Sequence, residues 1–252
     1  MKYTIEAACS CHTGKIRHNN EDNLFFDGRC LEADNTGLSN PVGFEEPLRS
    51  GLAMAVMDGM GGENYGELAS YAAAREMQLL QQKKADFLVS GRKYLRELVS
   101  RMNDAVLKQK QALCTEHMGT TFVSLYFSGR YVYVCNLGDS RAYRLRSGAF
   151  QQLSKDHIEK RPGETHKAPL TQHLGISPED MLLDPYIAKG EIRSGDRYLL
   201  CSDGLTDMLS NFEIADILSS HDDPQKCVQE LIDAALKQGG RDNITVILCK
   251  II

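Results

Sequence analysis

Apolar residues fall into short β-branched and aromatic runs at both ends of the chain, with long stretches of 3.6-residue period between and after them. The runs predict strands over residues 3–11, 52–57, 120–127, 131–136, 142–146, 197–201 and 244–250. Phe127-Ser-Gly-Arg-Tyr131 is a turn signal between two such runs and predicts a hairpin. Asn136-Leu-Gly-Asp-Ser140 interrupts the next run before residue 142, which predicts a second hairpin. Helical stretches cover about 67–83 and 87–111 and are rich in Ala, Leu, Glu, Lys and Gln. Another helix is expected from Asn211, read as its N-cap, and a last one after Pro224, which suits a first-turn position. Strands joined by hairpins and followed by helices, without repeated βαβ units, predict an α+β fold with antiparallel sheets. Segment 27–50, which contains Gly, Asn and Pro, and segment 157–185, which carries prolines with mixed charge, read as long surface excursions. With no repeat, low-complexity tract or linker, residues 1–252 read as one domain.

Composition narrows the classes. The chain has 252 residues, 42% of them hydrophobic and 25% charged, enough apolar surface to offset the entropy of ordering, so disorder is excluded as its main state. A net charge of −5 argues against a nucleic-acid partner, which calls for a basic face. No apolar run approaches the roughly 18 residues of a membrane helix, and the start lacks a signal-peptide core, so a cytoplasmic chain with no membrane contact is expected. The eight cysteines show no Cys-x-x-Cys pair, and Cys135, Cys201 and Cys249 sit in apolar runs where a thiol acts as a small hydrophobe. Strand alternation puts Cys9 and Cys11 on one face and His12 on the other, which favours a structural role over a soft-metal site.

The aspartates carry the chemical signal. The run Gly51-Leu-Ala-Met-Ala-Val-Met57 stops at Asp58-Gly59-Met60-Gly61-Gly62, and Arg197-Tyr-Leu-Leu-Cys201 stops at Ser202-Asp203-Gly204. Tyr131-Val-Tyr-Val-Cys135 leads to Asp139, the last strand follows Asp242, and Arg17-His-Asn-Asn-Glu21-Asp22 trails the first strand. An Asp beside a Gly at a strand end is also common turn chemistry, and Asp196 is read that way. Repetition changes the balance. Carboxylates crowded by converging strand ends cannot all stay ionised without cations, and an all-oxygen donor set suits Mg²⁺ or Mn²⁺ rather than Zn²⁺. Asp58 shared by two ions would form a two-metal centre for in-line displacement at phosphorus, and Arg17 could bind a phosphoryl group bidentately.

The motifs then resemble a known family. Arg17-His-Asn-Asn-Glu-Asp22, Val56-Met-Asp-Gly-Met-Gly-Gly62, Met118-Gly-Thr-Thr121 and Asn136-Leu-Gly-Asp-Ser-Arg-Ala142 are followed in order by Gln152-Leu-Ser-Lys-Asp-His157 and Leu170-Thr-Gln-His-Leu-Gly175. Leu200-Cys-Ser-Asp-Gly-Leu-Thr-Asp207 and Arg241-Asp-Asn-Ile-Thr-Val246 complete the set. The chain resembles a compact bacterial type-2C, metal-dependent protein serine/threonine phosphatase of the PPM family, nearly end to end. The resemblance implies a four-layer α-β-β-α sandwich of two antiparallel sheets flanked by helices. It implies Asp58 bridging two Mn²⁺ or Mg²⁺ ions, the Gly59 carbonyl on one, and Asp203 and Asp242 on the other. It further implies Asp22 acting through water, Glu21 as an additional ligand candidate, Asp139 at a third metal and Arg17 at the phosphate.

The implied reaction has no phosphoenzyme, because a water activated between the cations attacks phosphorus. Met60 stands where eukaryotic relatives often have His, so a metal-bound water is the expected general acid. His157, Lys160, Arg161 and His166 precede the Leu170 motif and could shape substrate choice. Phosphoserine and phosphothreonine proteins, including a cognate kinase and its substrates, are the implied partners of a monomer. The rivals are a phosphatase-fold scaffold that binds phosphoproteins and a metal-dependent nuclease or nucleotide hydrolase. Intact Asp58, Gly59, Asp203 and Asp242 argue against the first; acidic charge and the absence of a Walker loop argue against the second.

Overall fold

A computed structural model describes residues 3–60, 65–82, 91–159 and 168–252. In chain order the first half carries β1 (Thr4–His12), β2 (Asp22–Phe26), β3 (Arg29–Cys30), β4 (Val42–Pro47), β5 (Ala53–Met60), α1 (Gly66–Gln82) and α2 (Gly91–Ala112). The middle is β6 (Gly119–Thr120), β7 (Phe122–Ser128), β8 (Tyr131–Leu137), β9 (Arg141–Arg146) and β10 (Ala149–Gln152). Then come β11 (Tyr186–Glu191), β12 (Arg197–Cys201), α3 (Asp203–Thr206), α4 (Asn211–Ser220), α5 (Pro224–Lys237) and β13 (Ile244–Ile251).

The strands form two sheets, ordered β10-β9-β12-β13-β1-β4 and β11-β8-β7-β5-β2-β3, with β6 attached to the end of β5. Every described strand pair is antiparallel. The central strands are buried on both faces, which is why they read as continuous apolar runs rather than alternating ones. In β5, Met54 and Val56 enter the core between the sheets, whereas Ala53, Ala55 and Met57 face α1 and α2. In β13, Ile247, Cys249 and Ile251 face inward, and Ile244, Val246 and Leu248 meet α4 and α5. The result is the expected four-layer arrangement of helices, sheet, sheet and helices. Among the described residues no helix is long and apolar enough to cross a membrane. All eight cysteines are free thiols, and Cys9 and Cys11 lie together in the inter-sheet core.

Several expectations need correcting. β8 and β9 do not form a hairpin, because β8 pairs with β7 and β11 while β9 belongs to the other sheet. The chain crosses between sheets at Gly138, whose φ of 99° is open to glycine and where a Cβ would stand 2.7 Å from the Thr121 side chain. Asp139 therefore sits at a crossover, and the next hairpin is β9–β10. Segment 27–50 is no simple excursion: it holds β3 and β4, and β4 forms the sheet edge beside β1. Helix α4 is capped by Ser210, not Asn211. The Ser210 side chain accepts from the Glu213 N–H while Glu213 reaches back to the Ser210 N–H, a reciprocal capping box. Pro224 opens α5 as expected, behind the Asp223 cap. Gly61, Gly62, Lys160, Arg161, His166 and residues 87–90 of the expected second helix lie outside the described residues.

Candidate metal centre at the strand ends

The two sheets are stitched together at Asp22. This residue begins β2 and stands opposite Asp58 in the β2–β5 register, so two carboxylate residues are neighbours across one ladder. Asp22 is buried, and its Oδ2 accepts hydrogen bonds of 2.7 Å from Ser202 Oγ, at the end of β12, and from Thr245 Oγ1, in β13. One carboxylate of one sheet is thus held by hydroxyls of the other. Burial pushes its pKa up and the hydroxyls oppose that, while the charges of Asp242 and Glu21 add to the rise.

Asp58 is fixed through its backbone. Its N–H donates to Thr121 Oγ1 at 3.0 Å, and its carbonyl accepts from the Thr121 N–H at 2.8 Å and Thr120 Oγ1 at 2.9 Å. Thr121 Oγ1 also lies 2.7 Å from Ser140 Oγ, so the residue beside Asp139 is linked to Asp58 by two hydroxyls. Gly59 donates its N–H to the Glu21 carbonyl at 3.1 Å. A Cβ there would stand 2.1 Å from the Gly66 carbonyl oxygen, so the close approach of α1 and the Glu21 loop demands glycine. Glu21 in turn lies against Gly66, and Asn19 Nδ2 reaches both Glu21 Oε1 at 3.5 Å and Glu67 Oε2 at 3.4 Å.

The third group comes from the other sheet. Asp203 starts α3 and is buried directly after Ser202. Gly204 packs on the turn before β13: a Cβ on it would meet the Asn243 carbonyl oxygen at 1.9 Å and the Asp242 Cβ at 3.4 Å. Only glycine at this position lets the Asp203 and Asp242 segments lie together. Arg17 Nη2 donates to Asp242 Oδ2 at 2.8 Å and feels the charges of Glu21 and Asp58 as well. Its loop is pinned by Asn243, whose Nδ2 donates to the Thr13 and Asn19 carbonyls at 2.8 and 2.9 Å and whose Oδ1 accepts from the Glu21 N–H at 2.8 Å.

The fold therefore gathers Arg17, Glu21, Asp22, Asp58, Gly59, Asp203 and Asp242 at one edge of the sandwich, with Asp139 attached through Ser140 and Thr121. Among the described residues no three acidic, imidazole or thiol groups are already closed around a single point, and Asp242 Oδ2 is turned to Arg17. The donor chemistry nonetheless fits hard divalent ions: carboxylates of both sheets, a backbone carbonyl, and no thiol or imidazole among the candidates.

Sequence reasoning left out the groups that hold the carboxylates in place: Ser202, Thr245, Thr121 and Asn243. Their signal was buried hydroxyls and an amide within otherwise apolar strand ends. His157 braces the crossover rather than the carboxylates, its N–H donating to the Gly138 carbonyl at 3.0 Å and its Nδ1 accepting from the Gly138 N–H at 3.2 Å. Burial lowers its pKa, in keeping with a neutral acceptor ring.

The chain is similar to known proteins over most of its length. Residues 45–244 match the protein phosphatase 2C family. The chain is 32% identical over 251 residues to the serine/threonine phosphatase stp of Listeria welshimeri, covering 93% of this chain and 91% of that one. It is 31% identical over 265 residues to the serine/threonine protein phosphatase PstP of Mycobacterium tuberculosis, covering 98% of this chain but 45% of PstP, so it spans less than half of that relative's length. A crystal structure of the PstP catalytic domain in complex with 2 manganese ions superposes with a TM-score of 0.79 at 29% identity, covering 99% of each chain. With residues 45–244 of 252 inside the family match and a relative 32% identical across 93% of the chain, the chain belongs to the protein phosphatase 2C family.

Proposed function

We propose that the chain is a protein serine/threonine phosphatase that hydrolyses phosphoserine and phosphothreonine in proteins, using two Mn²⁺ or Mg²⁺ ions held at the strand ends. The observation that carries this reading is the meeting of Asp22 and Asp58 of one sheet with Asp203 and Asp242 of the other, beside Arg17. Asp58, the Gly59 carbonyl, Asp203 and Asp242 would hold the two ions, and Asp139 a third. Asp22 and Glu21 support them from the β2 side. When bound, the ions supply Lewis acidity at the phosphoryl oxygens and a water acidic enough to attack phosphorus near neutral pH.

The chain's own groups do the rest. Arg17 orients the phosphoryl group, and a guanidinium has five N–H donors, of which the Asp242 contact takes one. Its charge offsets the negative charge that builds on the phosphoryl oxygens. The Ser202 and Thr245 hydroxyls hold Asp22 so that the two sheets cannot part beneath the reacting group. Met60 has no proton to give, so the departing serine or threonine oxygen takes its proton from water. A monomeric catalytic domain in the cytoplasm, acting on a cognate kinase and that kinase's substrates, completes the proposal.

The test is phosphate release from a phosphothreonine peptide after chelation, with and without added Mn²⁺, with Asp203→Asn run beside the parent. Metal-dependent release that the variant loses is expected. No release with any divalent ion, from a chain shown to be folded, would turn the reading toward a phosphoprotein-binding scaffold.

A further inference from the structure

A cleft of about 430 Å³ opens beside the metal centre at Met60, the residue after Gly59. Met118 and Met181 line it together with Met60, and Leu170 and Ile176 add to its apolar walls. Its floor is the pairing of Met60 with Gly119 in β5–β6. The far side of β6 is also taken, because Thr120 and Leu174 exchange N–H···O bonds of 3.1 and 2.8 Å. A polypeptide lying here is therefore read through side chains, not by adding a strand to β6.

The cleft continues away from the centre. A second cleft of about 450 Å³ runs along α2 and shares Ile176 and Met181 with the first. At the shared rim Met181 is 44% exposed and Leu182 is 79% exposed, large apolar side chains offered to solvent. The charged lining leans acidic, with Glu116 and Asp180 against Lys110 in the first cleft and Asp104 and Asp184 against Arg96 in the second. Methionine is unbranched and polarisable, so a surface built on it grips apolar groups of differing shape.

We propose that this methionine-lined trough receives the substrate polypeptide on one side of the phosphorylated residue and selects an apolar side chain near it. The inference rests on the phosphatase reading above. Its occupant is an extended phosphopeptide segment, because the inner end of the trough is the residue following Gly59. A chain whose phosphate is held at the strand ends enters the trough as it leaves them. The preference is for apolar character, with wide tolerance of shape.

The experiment uses a phosphothreonine peptide series in which Leu, Met, Gln and Lys are placed at each position on both sides of the phosphoresidue. The full chain and its Met181→Asp variant are each assayed with Mn²⁺. In the parent, kcat/KM for Leu should exceed that for the uncharged Gln about tenfold on one side only, the low end of what an apolar pocket contributes. Met181→Asp should bring that ratio close to one. A parent ratio near one on both sides, or a ratio that survives in the variant, overturns the trough; a uniform loss of rate that keeps the ratio counts against it equally. p-Nitrophenyl phosphate, which has no flanking residues, separates the two readings. If the parent cleaves it without discriminating among peptides, only the trough fails. If the parent cleaves neither it nor any peptide, the phosphatase reading fails with the trough.

Discussion

The two ends of β12 carry the same local chemistry and opposite outcomes. Before the strand, Gly195-Asp196 forms a turn, and after it Asp203-Gly204 opens α3. At the first end Arg146 meets the Asp196 carboxylate with Nε and Nη2, both at 2.6 Å. The Tyr198 hydroxyl and the Arg193 N–H complete its partners, at 2.9 and 2.8 Å. Burial pushes the Asp196 pKa up, but these bonds outweigh it and hold the carboxyl below its ordinary range. At the second end Asp203 lies beside Ser202, which holds the buried Asp22, and across Gly204 from Asp242. One end brings its own fixed cation; the other collects further carboxylates. A strand-end aspartate with a built-in guanidinium is a structural device, whereas carboxylates drawn together from two sheets are what the proposed metal centre is built on.

Exchanging the two ends' roles by mutation is the strongest way to break this comparison. Asp203→Asn should lower metal-dependent phosphate release about a thousandfold, the scale of losing one charge-stabilising group, while its urea midpoint stays near the parent's. A variant with parental activity would contradict the assignment. Arg146→Met should behave the other way. It leaves Asp196 buried without its partner and should cost about 3–5 kcal/mol in urea unfolding, with turnover per folded molecule retained. A midpoint unmoved by this change would show that the pair does not matter to the fold.

Two smaller effects sharpen the contrast. Arg17→Ala should raise KM about tenfold with a lesser change in kcat, because a half-exposed guanidinium binds more than it supports the fold; an unchanged KM would remove Arg17 from the phosphate. The smallest effect is one of pH. Because the folded Asp196 pKa is depressed, its contribution is complete above the ordinary carboxylate range and is lost as pH falls through the folded value. The stability gap between the parent and Asp196→Asn should therefore shrink below about pH 4, and a gap constant from pH 7 to pH 3 would contradict the ion-pair account.

Much of this was legible in the chain. The long apolar runs of β5, β12 and β13 announce strands because both faces are buried, and the aspartates that end them mark the site. β2 escaped because its five residues begin with Asp22 and Asn23, polar positions that look like loop until Ser202 and Thr245 are seen to hold them. β4 and β11 escaped because they are edge strands with mixed exposure, and the β8–β9 crossover because Gly138 signals a turn without saying which sheet follows. The difference between Asp196 and Asp203 was beyond local reading altogether. It depends on Arg146, which reaches Asp196 from β9, and on Asp22 and Asp242, which reach the other end from β2 and from the turn before β13.

The most direct test of the central claim is a count of bound Mn²⁺ per chain by equilibrium dialysis, in the parent, Asp58→Ala and Arg146→Met. The account predicts at least two ions in the parent and in Arg146→Met, and loss of that pair in Asp58→Ala. A folded parent that binds no Mn²⁺, or an Asp58→Ala chain that keeps both ions, would contradict it.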